Sequence, residues 1–147
     1  MIAALLAAAL LNPVDFFTGR TRGEGTLKIV LQKPGRISVD SVGRAGKDGW
    51  LRLDQSIHEP GKPPRRRFWR FRQVGPNRFI GTLSDAAGPV RIDRHGQRLR
   101  IRYTNRNNLA FEQWLTPAGP RRVHNNMRIR RFGIILAHVD EVIRKLD

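Results

Sequence analysis

The chain has 147 residues, 39% hydrophobic and 27% charged, which suits one globular domain and excludes wholesale disorder. It contains no cysteine, so a disulfide framework, a thiol nucleophile and any cysteine-ligated zinc or iron–sulfur site are excluded. Lys and Arg number 28 against 12 Asp and Glu, a formal net charge of +16, and only five of those cations are Lys. Such a field attracts polyanions, from anionic lipid headgroups to nucleic acid. An arginine-rich composition with abundant Ala, Gly and Pro gives the same excess without any partner, and both readings stay open.

Residues 1–11, MIAALLAAALL, form an unbroken apolar run closed by Asn12-Pro13. The run is shorter than the about 20 residues that cross a bilayer. Its length suits the h-region of an export signal, with small residues at Ala7-Ala8-Ala9, although a basic n-region is missing. A short helix packed on the domain is the rival reading. The expected division is an apolar segment over 1–14 and a folded domain over 15–147, in an exported or envelope-associated protein.

Beyond Pro13 the pattern is of strands. Leu27, Ile29 and Leu31 alternate with Lys28 and Val30 up to Pro34-Gly35, and Ile37, Val39 and Ser41 follow. Leu51, Leu53, Gln55 and Ile57 alternate with Arg52, Asp54, Ser56 and His58 before a Pro/Gly-rich turn at 59–64. Residues 66–74 form the next strand, and Gly75-Pro76-Asn77 turns it into 79–83. Val90 and Ile92 lead to the hairpin signal Asp93-Arg94-His95-Gly96. Leu99, Ile101 and Tyr103 then oppose Arg98, Arg100 and Arg102, and segments 109–116 and 122–129 pair around Pro117-Ala118-Gly119-Pro120. The tail fits either a helical face (Ile135, Val139, Val142, Ile143, Leu146) or a strand face (Ile135, Ala137, Val139, Ile143) interrupted by Glu141. Strands at intervals of about ten residues predict an all-β meander, a single antiparallel up-and-down barrel of about 8–10 strands.

Side chains two apart share a face, so each strand divides into an inside and an outside. Gln55 falls in line with Leu53 and Ile57, Arg67 with Trp69 and Phe71, and Tyr103 with Leu99 and Ile101; Asn125 sits between Val123 and Met127. For 109–116, either Phe111/Gln113/Leu115 or Glu112/Trp114 faces inward. An apolar interior with a few polar groups is the make-up of a small-molecule pocket, and a barrel of this size can hold one ligand. The candidate contacts are Trp69, Phe71, Tyr103, Trp114 and Met127 as walls, with Gln55, Arg67 and Asn125 as orienting groups. The bland alternative is a filled barrel whose interior polar groups satisfy one another.

Sequence motifs for catalysis are scarce. There is no G-x-S-x-G, no H-E-x-x-H, no phosphate-binding glycine loop and no dinucleotide fingerprint, so no cofactor, no metal and no enzymatic activity are expected. A lipid-modifying enzyme is the minor alternative. His58, His95, His124 and His138 are isolated, and His138 with Asp140-Glu141 is weak as a metal motif. Residues 65–72, RRRFWRFR, interleave cations and aromatics as a single-strand stacking surface does. Strand alternation sends Trp69 and Phe71 to the face opposite Arg70 and Arg72, which weakens the nucleic-acid reading.

The chain resembles the bacterial domain-of-unknown-function family 3833 from residue 16 to about 145. The resemblance is carried in order by Phe17-Thr18-Gly19 with Gly23 and Gly25, Leu53-Asp54-Gln55, Glu59-Pro60-Gly61, Arg66-Arg67-Phe68-Trp69 and Gly81-Thr82. It continues with Asp85-Ala86-Ala87-Gly88, Arg102-Tyr103, Phe111-Glu112-Gln113-Trp114-Leu115, Asn125 and Arg131-Phe132-Gly133. It implies a lipocalin-like fold in a small exported protein and makes residues 134–144 a final strand. The family's lipid-attachment cysteine is missing, and Glu112-Gln113 stands where a pair of acids is expected. Relatives often occur beside genes that modify membrane fatty acids, which implies a fatty-acid or other apolar ligand. The expected partners are that ligand and an anionic membrane surface drawn to the cationic exterior. The rival is a filled structural barrel that docks an anionic partner.

Overall fold

The computed structural model describes residues 10–147. They form a short helix, α1 (Pro13–Phe16), and ten strands: β1 (Gly19–Ile29), β2 (Gly35–Ala45), β3 (Leu51–His58), β4 (Arg65–Gly75), β5 (Arg78–Leu83), β6 (Val90–His95), β7 (Arg98–Thr104), β8 (Ala110–Pro117), β9 (Arg122–Arg131) and β10 (Ile134–Lys145). Each strand pairs antiparallel with its chain neighbour, and β1 pairs with β10, which closes the sheet into an up-and-down barrel. Among the described residues, closure leaves no strand without two neighbours. The apolar run expected to be an export signal lies, through residue 9, outside the described residues.

The alternation that predicts each strand also sets its phase. In β3, Leu51, Leu53, Gln55 and Ile57 are buried and the residues between them are more exposed. Strand β7 likewise buries Leu99, Ile101 and Tyr103 beneath an outer face of arginines. In β8 the unresolved choice falls to Phe111, Gln113 and Leu115 inside, with Glu112 and Trp114 outside. The tail is a strand, with Ala137, Val139, Glu141 and Ile143 in one buried row.

Strand β1 departs from the sequence pattern at both ends. It begins at Gly19, because Thr21, Gly23 and Gly25 hold the inward phase with little side chain to announce it. It stops at Ile29, where Gln32 N–H bonds to Ile29 O (3.0 Å) and Leu31 turns outward at φ 64°. Gly25 is required by close approach: a Cβ there would lie 1.9 Å from the carbonyl oxygen of Asp140 on β10.

The two ends of the barrel differ. One is plugged by α1, whose N-cap Asn12 accepts from Val14 N–H (2.9 Å) and whose Pro13 supplies a preset helical φ. Phe16 and Phe17 pack edge to face, 5.0 Å apart, over the buried layer that includes Leu51, Leu99, Leu115 and Val123. Lys145 Nζ donates to Phe16 O (2.6 Å) and Thr18 O (3.0 Å), tying the last strand to the plug. The other end carries the β1–β2, β3–β4, β5–β6, β7–β8 and β9–β10 turns and is open.

The wall is uneven. Strands β5 and β6 share only four register partners, Arg78–Gly81 with Val90–Asp93, whereas β1 and β10 share nine. Above that short ladder the loop at 84–89 spans from β4 to β7, through Ser84 N–H to Phe68 O (2.9 Å) and Ala87 N–H to Thr104 O (2.8 Å). Charged residues occupy the outward positions, the reverse of the apolar exterior of a membrane barrel.

Candidate functional site

The open half of the barrel encloses a cavity of about 640 Å³. This space does not fit the filled-barrel expectation. Leu27, Ile37, Val39, Ile57, Ile129 and Val139 form much of its apolar wall, while Arg67, Tyr103, Gln113, Asn125 and Glu141 bring polar groups to the inner end. Tyr103 stacks on Phe111, 4.7 Å between rings, and packs edge-on against Trp69 at 5.7 Å. These rings divide the open half from the packed half.

Arg67 is held from beneath. Gln55 Oε1 accepts from Arg67 Nε (2.8 Å) and from Trp69 Nε1 (2.6 Å), while Gln55 Nε2 donates to Ser41 Oγ (3.1 Å). Its side chain lines the cavity, and among the described residues none accepts a hydrogen bond from its terminal nitrogens. Burial pulls Arg67 below its ordinary pKa, though an arginine so placed stays charged. Burial raises Tyr103, against the nearby charge of Arg67 and a hydrogen bond with Gln113.

Across the lumen, Asn125 Nδ2 donates to Glu141 Oε1 (2.7 Å). Burial drives the Glu141 carboxyl above its ordinary value, opposed by the Asn125 bond and by the charge of Arg67. Asn125 Oδ1 and Glu141 Oε2 are buried and lack partners among the described residues. Gly23 makes room for the Glu141 carboxyl, since a Cβ there would meet its Oε2 at 2.4 Å. A buried cation and an acid that burial biases toward neutrality thus face one space.

Of the expected contacts, Arg67, Tyr103, Asn125 and Met127 line the cavity and Gln55 supports it from behind. Trp69 and Phe71 are inward but belong to the packed core, Phe71 at 3% exposure. Trp114 is corrected outright. It lies on the outer face, with the guanidinium of Arg98 4.3 Å from its ring centre and that of Arg100 at 5.6 Å. Glu112 fixes that phase by pairing with Arg100 (2.5 Å) and Arg130 (3.7 Å) on the outside. Burial pushes Glu112 up, but bonds from Arg100 and Trp114 and both arginine charges hold its carboxyl below the ordinary value. Glu141 was hidden as an interruption of an apolar row, although its phase with Val139 and Ile143 placed it inward. His138 and Asp140 point out while Glu141 points in, so that trio cannot converge on a metal.

A model of the protein-of-unknown-function family DUF3833 matches residues 7–145. The chain belongs to this family. No curated protein matches the DUF3833 chain. Among solved structures, the S-type phycobiliprotein lyase CPES from Guillardia theta is similar, with a TM-score of 0.73 at 7% identity over 91% of this chain and 90% of that one. Rv2717c from M. tuberculosis is also similar, with a TM-score of 0.53 at 11% identity over 93% and 99% of the two chains. At such identities the likeness is one of fold, and this DUF3833 member has a lipocalin-like barrel. The expectation that the chain is not an enzyme is corrected here. A barrel of the same fold bears the name of a lyase, so missing familiar motifs do not separate this architecture from enzymes.

Proposed function

We propose that this DUF3833 barrel binds a small amphiphile, an acyl or similar lipid molecule, in the cell envelope. The observation that carries the reading is the terminal guanidinium of Arg67, unpaired at the inner end of an apolar-walled cavity. The cavity volume is in the range of small-molecule sites, roughly 300–1,000 Å³. An anionic headgroup lying on Arg67 gains charge-assisted hydrogen bonds away from bulk water. Its chain then runs toward the mouth along Val39, Ile57, Met127 and Val139. Asn125 and Glu141 offer a second polar contact beside it. The apolar run at 1–11, with the length of a signal h-region, supports the envelope location.

The test is to purify the protein, extract it and identify what co-purifies by mass spectrometry, with free fatty acids as competitors. A stoichiometric acyl compound released on denaturation is expected. Arg67→Met is expected to weaken fatty-acid binding by about tenfold or more, the scale of one charged hydrogen bond, and to leave the methyl ester of the same acid nearly unaffected. An empty protein indifferent to fatty acids, or equal losses for acid and ester, would sink the proposal.

A further inference from the structure

Two hairpin tips stand side by side on the rim of the cavity, joined by Val30 N–H to Leu136 O at 2.8 Å. The β1–β2 tip exposes Val30 and Leu31, and the β9–β10 tip exposes Phe132, Ile134 and Ile135. Leu31 is 98% exposed and Phe132 is 89% exposed. Both occupy left-handed backbone, at φ 64° and 51°, where Asn or Gly fits with less steric cost. Phe132-Gly133 is a two-residue turn with positive φ at both positions, a place that favours Asn-Gly. The fold gains no packing from either side chain, so it does not account for Leu and Phe there.

Every charged residue within the two hairpin stretches is basic, although Arg130 pairs with Glu112 on β8. Residues 28–39 hold Lys28, Lys33 and Arg36, and residues 127–139 hold Arg128, Arg130 and Arg131, with no Asp or Glu in either stretch. Lys28 is turned back onto the carbonyls of Ile29 and Gln32, while Lys33 and Arg36 have no acidic partner among the described residues. Large apolar side chains projecting from a basic collar complement an anionic bilayer, whose headgroups take the cations and whose acyl region takes the apolar tips. A polyanion without an apolar layer would use the collar and leave Leu31 and Phe132 in water.

We propose that the paired β1–β2 and β9–β10 tips dock the open mouth of the barrel onto an anionic lipid bilayer, with Leu31 and Phe132 inserting. This surface is separate from the lumen, so a barrel that takes no acyl ligand would still dock.

The experiment is vesicle flotation with the full protein, using equimolar phosphatidylglycerol and phosphatidylcholine against phosphatidylcholine alone. Binding to the anionic vesicles is expected, weakened but not abolished by raised salt. The double variant Leu31→Asn/Phe132→Asn should lose about tenfold or more in vesicle affinity. Asn tolerates left-handed backbone, so the variant's melting temperature should stay level or rise, which separates lost docking from lost folding. Val74→Asn, which removes an exposed apolar residue away from these tips, should bind as the parent does. Failure to bind anionic vesicles at low salt would overturn the proposal. So would full retention of binding by the double variant, or uptake of single-stranded DNA without uptake of vesicles.

Discussion

Burial holds the Glu141 side chain away from its ordinary state. Its carboxyl is buried, carries one hydrogen bond from Asn125 and has an unpartnered second oxygen. Because burial raises its folded-state pKa, the fold binds a proton that the unfolded chain has already released. Stability from this group therefore falls as pH rises from the ordinary carboxylate value through the raised one, and the cost of the buried charge is fully present above that window. Glu141→Gln should flatten this part of the stability–pH profile and raise stability at the alkaline end of the window. Urea titrations of parent and variant across pH would check it, and parallel profiles would refute the assignment. The same residue shows what sequence could and could not tell. Its inward phase was legible, yet nothing in one strand reveals that Asn125 lies opposite it or that Gly23 clears space for it.

Among the elements, β1 is where side-chain patterning carried least information. Alternation identified β3, β7, β9 and most of β4 because large apolar residues mark their inner phase. In β1 the inner phase is Thr21, Gly23 and Gly25, chosen for what they leave empty. Their neighbours decide the consequences. Alanine at Gly23 meets the movable end of Glu141, whereas alanine at Gly25 meets the fixed carbonyl of Asp140. Gly23→Ala is expected to cost about 1–3 kcal/mol and to be partly relieved by Glu141→Ala, a coupling that a double-mutant cycle would measure. Gly25→Ala should cost more and gain nothing from Glu141→Ala. Strand β8 posed the opposite difficulty. Both of its faces carry aromatic and polar residues, and only Arg100 and Arg130 on the flanking strands settle which faces out.

For the whole molecule, the closed up-and-down barrel was legible because its neighbours in space are neighbours in sequence everywhere but at the β1–β10 pairing. The cavity was only partly so. Sequence supplies Arg67, Tyr103, Asn125 and Met127 as an inward set, but not the fact that one half of the lumen is packed by Trp69, Phe71 and the α1 plug while the other stays open. Part of the +16 excess sits beside acids, with Arg102–Asp93, Arg65–Asp85 and Arg20–Asp147 among the ion pairs. Such exposed pairs contribute little individually to stability.

The short β5–β6 ladder gives the barrel a weakest stave. Four register partners hold that stretch of wall, and the loop at 84–89 bridges the gap above them. Local opening follows the least protected hydrogen bonds, so amides at 84–92 should exchange with solvent well before those of β1 and β10. Hydrogen-exchange mass spectrometry reads this directly, and uniform protection around the wall would contradict it. A parting of the 84–89 loop, whose Asp85 lines the cavity, would uncover the lumen sideways between Arg67 and Tyr103. That would give a bulky guest a lateral door as well as the mouth.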